Sequence, residues 1–407
     1  MVIESLKYKI LQQFGFAPTQ EQGQALDTFV SFLTDRDPQA VMILRGSAGT
    51  GKTSLSGAIV RTLLQIRQKV MLLAPTGRAA KVFSLGSGAP AYTIHRRIYR
   101  EKAFAGVDGQ FSLNDNLYTD TLFMVDEASM IANMGLGGTT FGSGCLLDDL
   151  VKFVYQGHND RLLLIGDKAQ LPPVGEEESP ALSASVMEGY GLKVYECDLN
   201  EVLRQSQSSG ILYNATLIRQ MITHDAVTGL PLIRFKGFAD IVMMPGAELV
   251  ESLGDSYHHV GMDETMVITR SNKRANIYNN GIRNMVLDRE EELSSGDMLM
   301  IVKNNYFWTE KEKKESGEGS AGAVPVFLAN GDRAKVLRVS NYIELYGFRF
   351  ATLLLQLPDY DDYEMQVTGM LDTLQSEAPA LTHEQQEELF RQVEEDYQHF
   401  VPLKADR

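Results

Sequence analysis

The sequence predicts an α/β fold built on a parallel sheet with helices on both faces, and three observations lead there. Four short apolar runs, Val41 to Leu44, Val70 to Ala74, Leu122 to Val125 and Leu162 to Ile165, alternate with stretches of helical spacing. That alternation is the pattern of repeated strand–helix–strand units. The first run enters Gly46-Ser47-Ala48-Gly49-Thr50-Gly51-Lys52-Thr53, a phosphate-binding loop in its strand, loop, helix context. Each of the four runs also ends in a polar motif, at the carboxyl edge where such sheets hold their ligands.

Taken in order, residues to about Leu33 read as helical, and Pro18-Thr19-Gln20-Glu21-Gln22 is a helix start with Thr19 as N-cap. Lys52 to Ile66 is a helix, apolar at Leu55, Ile59, Leu63 and Ile66. The second strand ends in Pro75-Thr76-Gly77-Arg78-Ala79-Ala80, and residues 84–118 read as a small insertion. Asp126-Glu127 follow the third strand, and glycine-rich Met134 to Gly144 reads as a mobile loop. The fourth strand ends in Gly166-Asp167-Lys168-Ala169-Gln170. From Leu199 a second α/β unit is expected, with strands at Ile241 to Met244 and Met266 to Thr269 and a helix from Lys273 to Leu287. Charged Glu310 to Gly322 reads as an exposed loop. Val324 to Leu357 reads as short strands around Asn330-Gly331, a hairpin signal, and so as a small β-barrel-like insert. Thr382 to Phe400 reads as a charged helix. The expected boundaries are 1–198, 199–300, 301–358 for the β insert, and 359–407 for an acidic, largely helical segment.

The 407 residues suit two or three domains. No apolar run reaches membrane-spanning length, and the start lacks the basic-then-apolar pattern of a signal peptide. Two cysteines, Cys145 and Cys197, make neither a disulfide framework nor a zinc site, so a reducing cytoplasm is expected. The net charge of −15 argues against a polyanionic partner, but it is unevenly spread. Arg78 to Lys102 holds six Lys or Arg against one acid, and Asp359 to Asp396 holds twelve acids against one Arg. A local basic surface matters more to a polyanion than the total does.

The motifs converge on nucleotide hydrolysis. Glycines let loop N–H groups face phosphate oxygens, and the following helix adds its positive end. Lys52 is expected on the β- and γ-phosphates and Thr53 on Mg2+. Of the acidic pair, Asp126 is expected to hold Mg2+ and Glu127 to act as general base on the attacking water. Gln170, at the next strand end, is placed to sense the γ-phosphate.

Gln22, the phosphate loop, Ala74 to Ala80, Thr93-Ile94-His95, Val125-Asp126-Glu127-Ala128-Ser129-Met130 and Gly166 to Val174 come in one order. Together they resemble the motifs of superfamily 1 helicases of the RecD and Dda kind. Asn200-Glu201-Val202-Leu203-Arg204-Gln205 resembles the next motif, and Thr269-Arg270-Ser271-Asn272-Lys273 a further one. The resemblance implies two RecA-like P-loop domains, ATP with Mg2+, and single-stranded or tailed DNA tracked 5′ to 3′. It implies adenine recognition by Gln22, nucleotide contacts from Gly46 through Ser54, and an arginine finger at Arg204. It places Thr76, Arg78, Thr93, His95, Arg96 and Arg97 on the single strand. The residues alone leave alternatives open: a surface polar role for Gln22, a surface ion pair for Arg204 and a structural histidine at His95. Tyr92 and Tyr99 either stack on DNA or pack in the core, and Asn304 to Trp308 fits packing better than stacking.

The family carries two later motifs, resembling His-Lys-Ala-Gln-Gly and a Thr-Arg pair, and neither occurs between Gly347 and Arg407. The second RecA-like domain is therefore expected to be incomplete. The competing expectation is a DNA- and ATP-binding subunit of a RecD-type exonuclease or repair complex, with protein partners and no unwinding of its own. A kinase sharing only the phosphate loop is disfavoured by Gln170, Arg204 and the strand-facing motifs.

Overall fold

The computed structural model describes residues 2–103, 110–134, 142–201, 209–223, 229–302, 305, 308–309, 328, 331–360, 362–374, 381 and 383–400. They divide into two compact units, Met1–Val242 and Met243–Arg407. In the first unit the chain runs α1 (Val2–Phe14), α2 (Gln20–Leu33), β1 (Ala40–Gly46), α3 (Lys52–Gln65), β2 (Lys69–Ala74), α4 (Gly77–Ser87), β3 (Ala91–Thr93) and α5 (Ile94–Ile98). It continues through β4 (Tyr99–Ala103), β5 (Gln110–Leu113), β6 (Thr121–Val125), α6 (Leu146–Gln156), β7 (Arg161–Gly166), α7 (Ala184–Gly189), β8 (Lys193–Leu199) and α8 (Gly210–Thr223).

Six strands form one parallel sheet in the order β3-β2-β6-β7-β1-β8. Both faces are covered, which is why the central strands read as unbroken apolar runs. Met42 and Leu44 of β1 pack with Ile10, Phe29 and Leu63, while Val41 and Ile43 pack with Leu147, Leu150 and Val154. The helix start at Thr19 forms as expected: its hydroxyl accepts the Gln22 N–H, and the Gln22 side chain accepts the Thr19 N–H, a reciprocal capping box.

Two expectations for this unit change. Of residues 84–118, Ser84 to Ser87 complete α4 and Ala91–Thr93 joins the main sheet beside β2, leaving α5 and the β4–β5 hairpin as the added part. Three residues are too few to display a strand's period. The unit also extends past residue 198, because α8 returns to the sheet edge and its Arg219 grips Asp167.

The second unit contains α9 (Leu249–His259), α10 (Asn272–Met285), β9 (Met298–Met300), β10 (Arg333–Leu345), β11 (Phe348–Leu357), β12 (Tyr363–Met370) and α11 (His383–Phe400). Its strands form an antiparallel sheet in the order β12-β11-β10-β9, with Val336, Leu353, Leu355, Met365 and Val367 buried together. Among the described residues this sheet is open rather than a closed barrel. The tight turn is Tyr346-Gly347, with φ of 55° and 74°, joining paired Leu345 and Phe348. Two left-handed residues are what a two-residue hairpin turn requires. The expected turn at Asn330-Gly331 lies partly outside the described residues, as do Glu310 to Gly322 and most of Met134 to Gly144. β12 falls in the stretch expected to be acidic and helical; Met365 and Val367 point inward while Glu364 and Gln366 point out.

Ile241 to Met244 and Met266 to Thr269 do not form strands. Val242 is 83% and Ile268 87% exposed. An apolar run becomes a strand only where a neighbour takes up its backbone hydrogen bonds, and none of the described residues does so there. No helix among the described residues is long and apolar enough to cross a membrane.

Candidate functional site

β1 delivers the chain into the phosphate loop at Gly46. Gly49 and Gly51 take φ of 82° and 85°, a region that side-chain-bearing residues rarely adopt. Gly51 is the N-cap of α3 and supplies no side-chain hydrogen bond, so the first N–H groups of that helix remain available to an anion. Ser47 and Thr50 are buried, and the Thr50 hydroxyl donates to the Ser47 carbonyl at 2.8 Å. Ala48, Thr53 and Ser54 are exposed. Lys52 Nζ donates to the Ser47 carbonyl at 2.9 Å and to the Gly46 carbonyl. Burial pushes the Lys52 ammonium below its ordinary pKa; the Asp167, Glu127 and Asp126 carboxylates oppose that and Arg219 adds to it.

Gln22 is no surface residue: it is 1% exposed. Its Nε2 donates to the Thr50 carbonyl at 2.9 Å, and its Oε1 closes the capping box. One residue earlier, Glu21 accepts the Asn200 N–H and, at 2.8 Å, the Glu201 N–H. These two begin the segment that carries Arg204, which itself lies outside the described residues.

Asp126 and Glu127 leave the end of β6. Asp126 Oδ1 accepts the Glu127 N–H at 2.9 Å. Burial, with the neighbouring Glu127 charge, pushes the Asp126 carboxyl up to about 6 against the pull of that N–H and of Lys52. Glu127 sits at φ 53°, a left-handed backbone that costs a non-glycine residue energy and is concentrated at functional sites. At the end of β7, the Gln170 Oε1 accepts the Ser129 hydroxyl at 2.9 Å.

The strand-facing residues gather at the ends of β2 and β3, paired Ala74 to Thr93. Thr76 caps α4 and Thr93 caps α5, each accepting an N–H three residues on. Thr93 is buried, Arg78 exposed, and Arg96 half-buried. The Arg97 guanidinium lies 4.6 Å over the Tyr92 ring and 5.6 Å from that of Tyr118. His95 faces Tyr99 at 5.7 Å, and burial lowers its pKa. Tyr99 is buried and donates to Asp149 at 2.7 Å, which places it in the core. Trp308 packs against the core of the second unit, while Asn304, Tyr306 and Phe307 lie outside the described residues.

Two residues of this site carry no sequence signal of their own: Glu21 and Arg219 are joined to their partners across 180 and 52 positions, so no local spacing could reveal them.

A parallel sheet with this loop, acidic pair and glutamine at successive strand ends defines a RecA-like P-loop domain. The sequence matches the family described as AAA domain over residues 17–229. The chain belongs to that family, and it is similar to superfamily 1 helicase proteins of the RecD and Dda kind. It is 30% identical over 157 residues to the ATP-dependent RecD2 DNA helicase of Deinococcus radiodurans, covering 38% of this chain and 18% of that protein. It is 25% identical over 267 residues to the ATP-dependent DNA helicase dda of Enterobacteria phage T4, covering 63% of this chain and 55% of the relative. A crystal structure of Pif1 helicase from Candida albicans aligns with 87% of this chain and 78% of its own, at 17% identity and a TM-score of 0.40.

Proposed function

We propose that the chain hydrolyses ATP to move along single-stranded DNA, 5′ to 3′, opening duplex ahead of it. The observation that carries this reading is the layout of one sheet edge. From β1 through β7 and β6 to β2 and β3, the carboxyl ends present the phosphate loop, Gln170, the acidic pair, then Thr76 to Arg78 and Thr93 to Arg96. In this reading a hydrolytic centre and a row of strand contacts share one sheet edge.

In this reading the N–H groups of Gly49 to Ser54 cradle the phosphates, Lys52 leaves its own loop carbonyls for the β- and γ-phosphates, and buried Gln22 supports the loop at Thr50. Glu127 accepts the proton of the attacking water, Gln170 orients it, and Arg204 meets the transition-state charge. The donor set fits Mg2+: the Asp126 carboxylate, whose burial raises its pKa, gains from a cation, and the Thr53 hydroxyl is exposed at the first turn of α3. Asp126 and Thr53 would hold the ion, which supplies charge neutralisation on the phosphates when bound. Arg78 and Arg96 carry the phosphate contacts to DNA, and neutral His95 offers hydrogen bonding or stacking without charge.

The test is ATP turnover by the purified chain with and without single-stranded DNA, beside strand displacement on 5′- and 3′-tailed duplexes. DNA-stimulated turnover with displacement of the 5′-tailed duplex is expected. Turnover indifferent to DNA would sink the translocase reading, and displacement of the 3′-tailed duplex alone would reverse the polarity. Stimulated turnover without displacement would favour the DNA- and ATP-binding subunit.

A further inference from the structure

We propose that Arg219 is a positioning residue for γ-phosphate recognition, acting through Asp167 on the turn that carries Gln170; this rests on the ATP-binding reading above. Asp167 leaves the end of β7 and is 4% exposed. Both its carboxylate oxygens are taken by the Arg219 guanidinium from α8, at 3.2 and 2.7 Å. Oδ1 also accepts the Ala169 N–H at 2.9 Å, and the Asp167 carbonyl accepts the Gln170 N–H at 3.2 Å. The Gln170 side chain then takes the hydroxyl of Ser129, two residues beyond Glu127. One unbroken series of contacts therefore runs from α8 to the glutamine that senses the γ-phosphate.

The chemistry of the pair suits that role. A carboxylate this buried needs a matched cation, because removing its partner leaves an uncompensated charge. The planar guanidinium fork fixes both oxygens at once, which a lysine cannot do. With the carboxylate fixed, the short turn to Gln170 has little freedom left. Arg219 also stands close enough to Lys52 to repel its ammonium, so the pair borders the phosphate site itself. Displacing a positioning group by about 1 Å can cost about 10²-fold at a reacting centre.

The test reads binding rather than turnover. The full chain is titrated with Mg–ADP and with a non-hydrolysable Mg–ATP analogue, unmodified and as Arg219→Ala, Gln170→Ala and both together. The ratio of the two Kd values isolates the γ-phosphate. Arg219→Ala should hold ADP affinity within about twofold and lose roughly tenfold of the preference for triphosphate, the scale of one hydrogen bond to a charged group. The combined variant should lose no more than Gln170→Ala alone, since residues acting in series are not additive. An unchanged ratio in Arg219→Ala, or losses that multiply, overturns the proposal. If Arg219→Ala fails to fold, Arg219→Met with Asp167→Asn removes both charges while keeping an oxygen for the Ala169 N–H. The same loss of preference is expected there, and an unchanged ratio overturns the proposal. An unmodified chain that binds neither nucleotide fails differently: it overturns the ATP reading, and this inference with it.

Discussion

The two ends of the sheet's carboxyl edge use similar residue types in opposite ways. At the β1 and β7 end, polar groups are buried with fixed partners so that other atoms stay free: Gln22 braces Thr50, Arg219 braces Asp167, and the α3 N–H groups remain unspent. At the β2 and β3 end, the motif residues are themselves the braces. Thr76 and Thr93 are helix caps, and Arg97 lies against two tyrosine rings. A motif at the first end therefore names chemistry, while a motif at the second end names the scaffold that presents it.

The sharpest way to break this comparison is Lys52→Ala. Its hydrogen bonds go to the backbone carbonyls of Gly46 and Ser47, so the fold should survive while ATP turnover falls about 10³-fold or more, the scale of a transition-state cation. Steady-state ATPase beside circular dichroism checks both halves, and undiminished turnover would refute the site.

Glu127→Gln should keep nucleotide affinity but slow hydrolysis by about 10²-fold or more, because the amide cannot accept a proton. Equilibrium binding of a fluorescent ATP analogue checks the first half. Affinity that falls as far as turnover would make Glu127 a ligand rather than a base.

At the other end, Arg78→Ala and Arg96→Ala should each lower the log–log salt slope of single-stranded DNA binding by about 0.7. Arg97→Ala should leave that slope unchanged and instead lower the thermal midpoint by roughly 2–6 °C, as a lost cation–π contact does. A slope change from Arg97→Ala would erase the contrast between the two ends.

The smallest effect belongs to His95. Burial depresses its folded pKa below the ordinary value near 6.5, so the fold holds it neutral and unfolding lets it charge. Stability from this group is fully present above about pH 6.5 and is lost as pH falls below it. Chemical denaturation at pH 7.5 and 5.5 should show a drop that His95→Gln reduces; an identical drop in the variant would place the charge change elsewhere.

What could be read from the sequence divides along the same line. The loop from Gly46 to Thr53 and the pair Asp126-Glu127 were legible because the residues that do the chemistry sit side by side. The parallel sheet was legible because both its faces are buried and each strand shows an unbroken apolar run. The two aromatic rings beside Arg97 were not legible, because composition reports charge and cannot report what packs around it. Ile241 to Met244 reads as a strand because an apolar run does not reveal whether a partner exists. Glu21 and Arg219 were silent because their partners are distant in the chain.

Glu21 and Gln22 are consecutive residues in the first turn of α2, yet they hold different things: the entry of the Arg204 segment at Asn200 and Glu201, and the phosphate loop at Thr50. A helical turn moves as one body. A displacement of the loop that carries Gln22 along also carries Glu21, and with it the backbone three residues short of the arginine. The posture of the loop and the backbone at Asn200 and Glu201 are thereby a single mechanical coordinate, set by a turn that contains none of the loop's glycines.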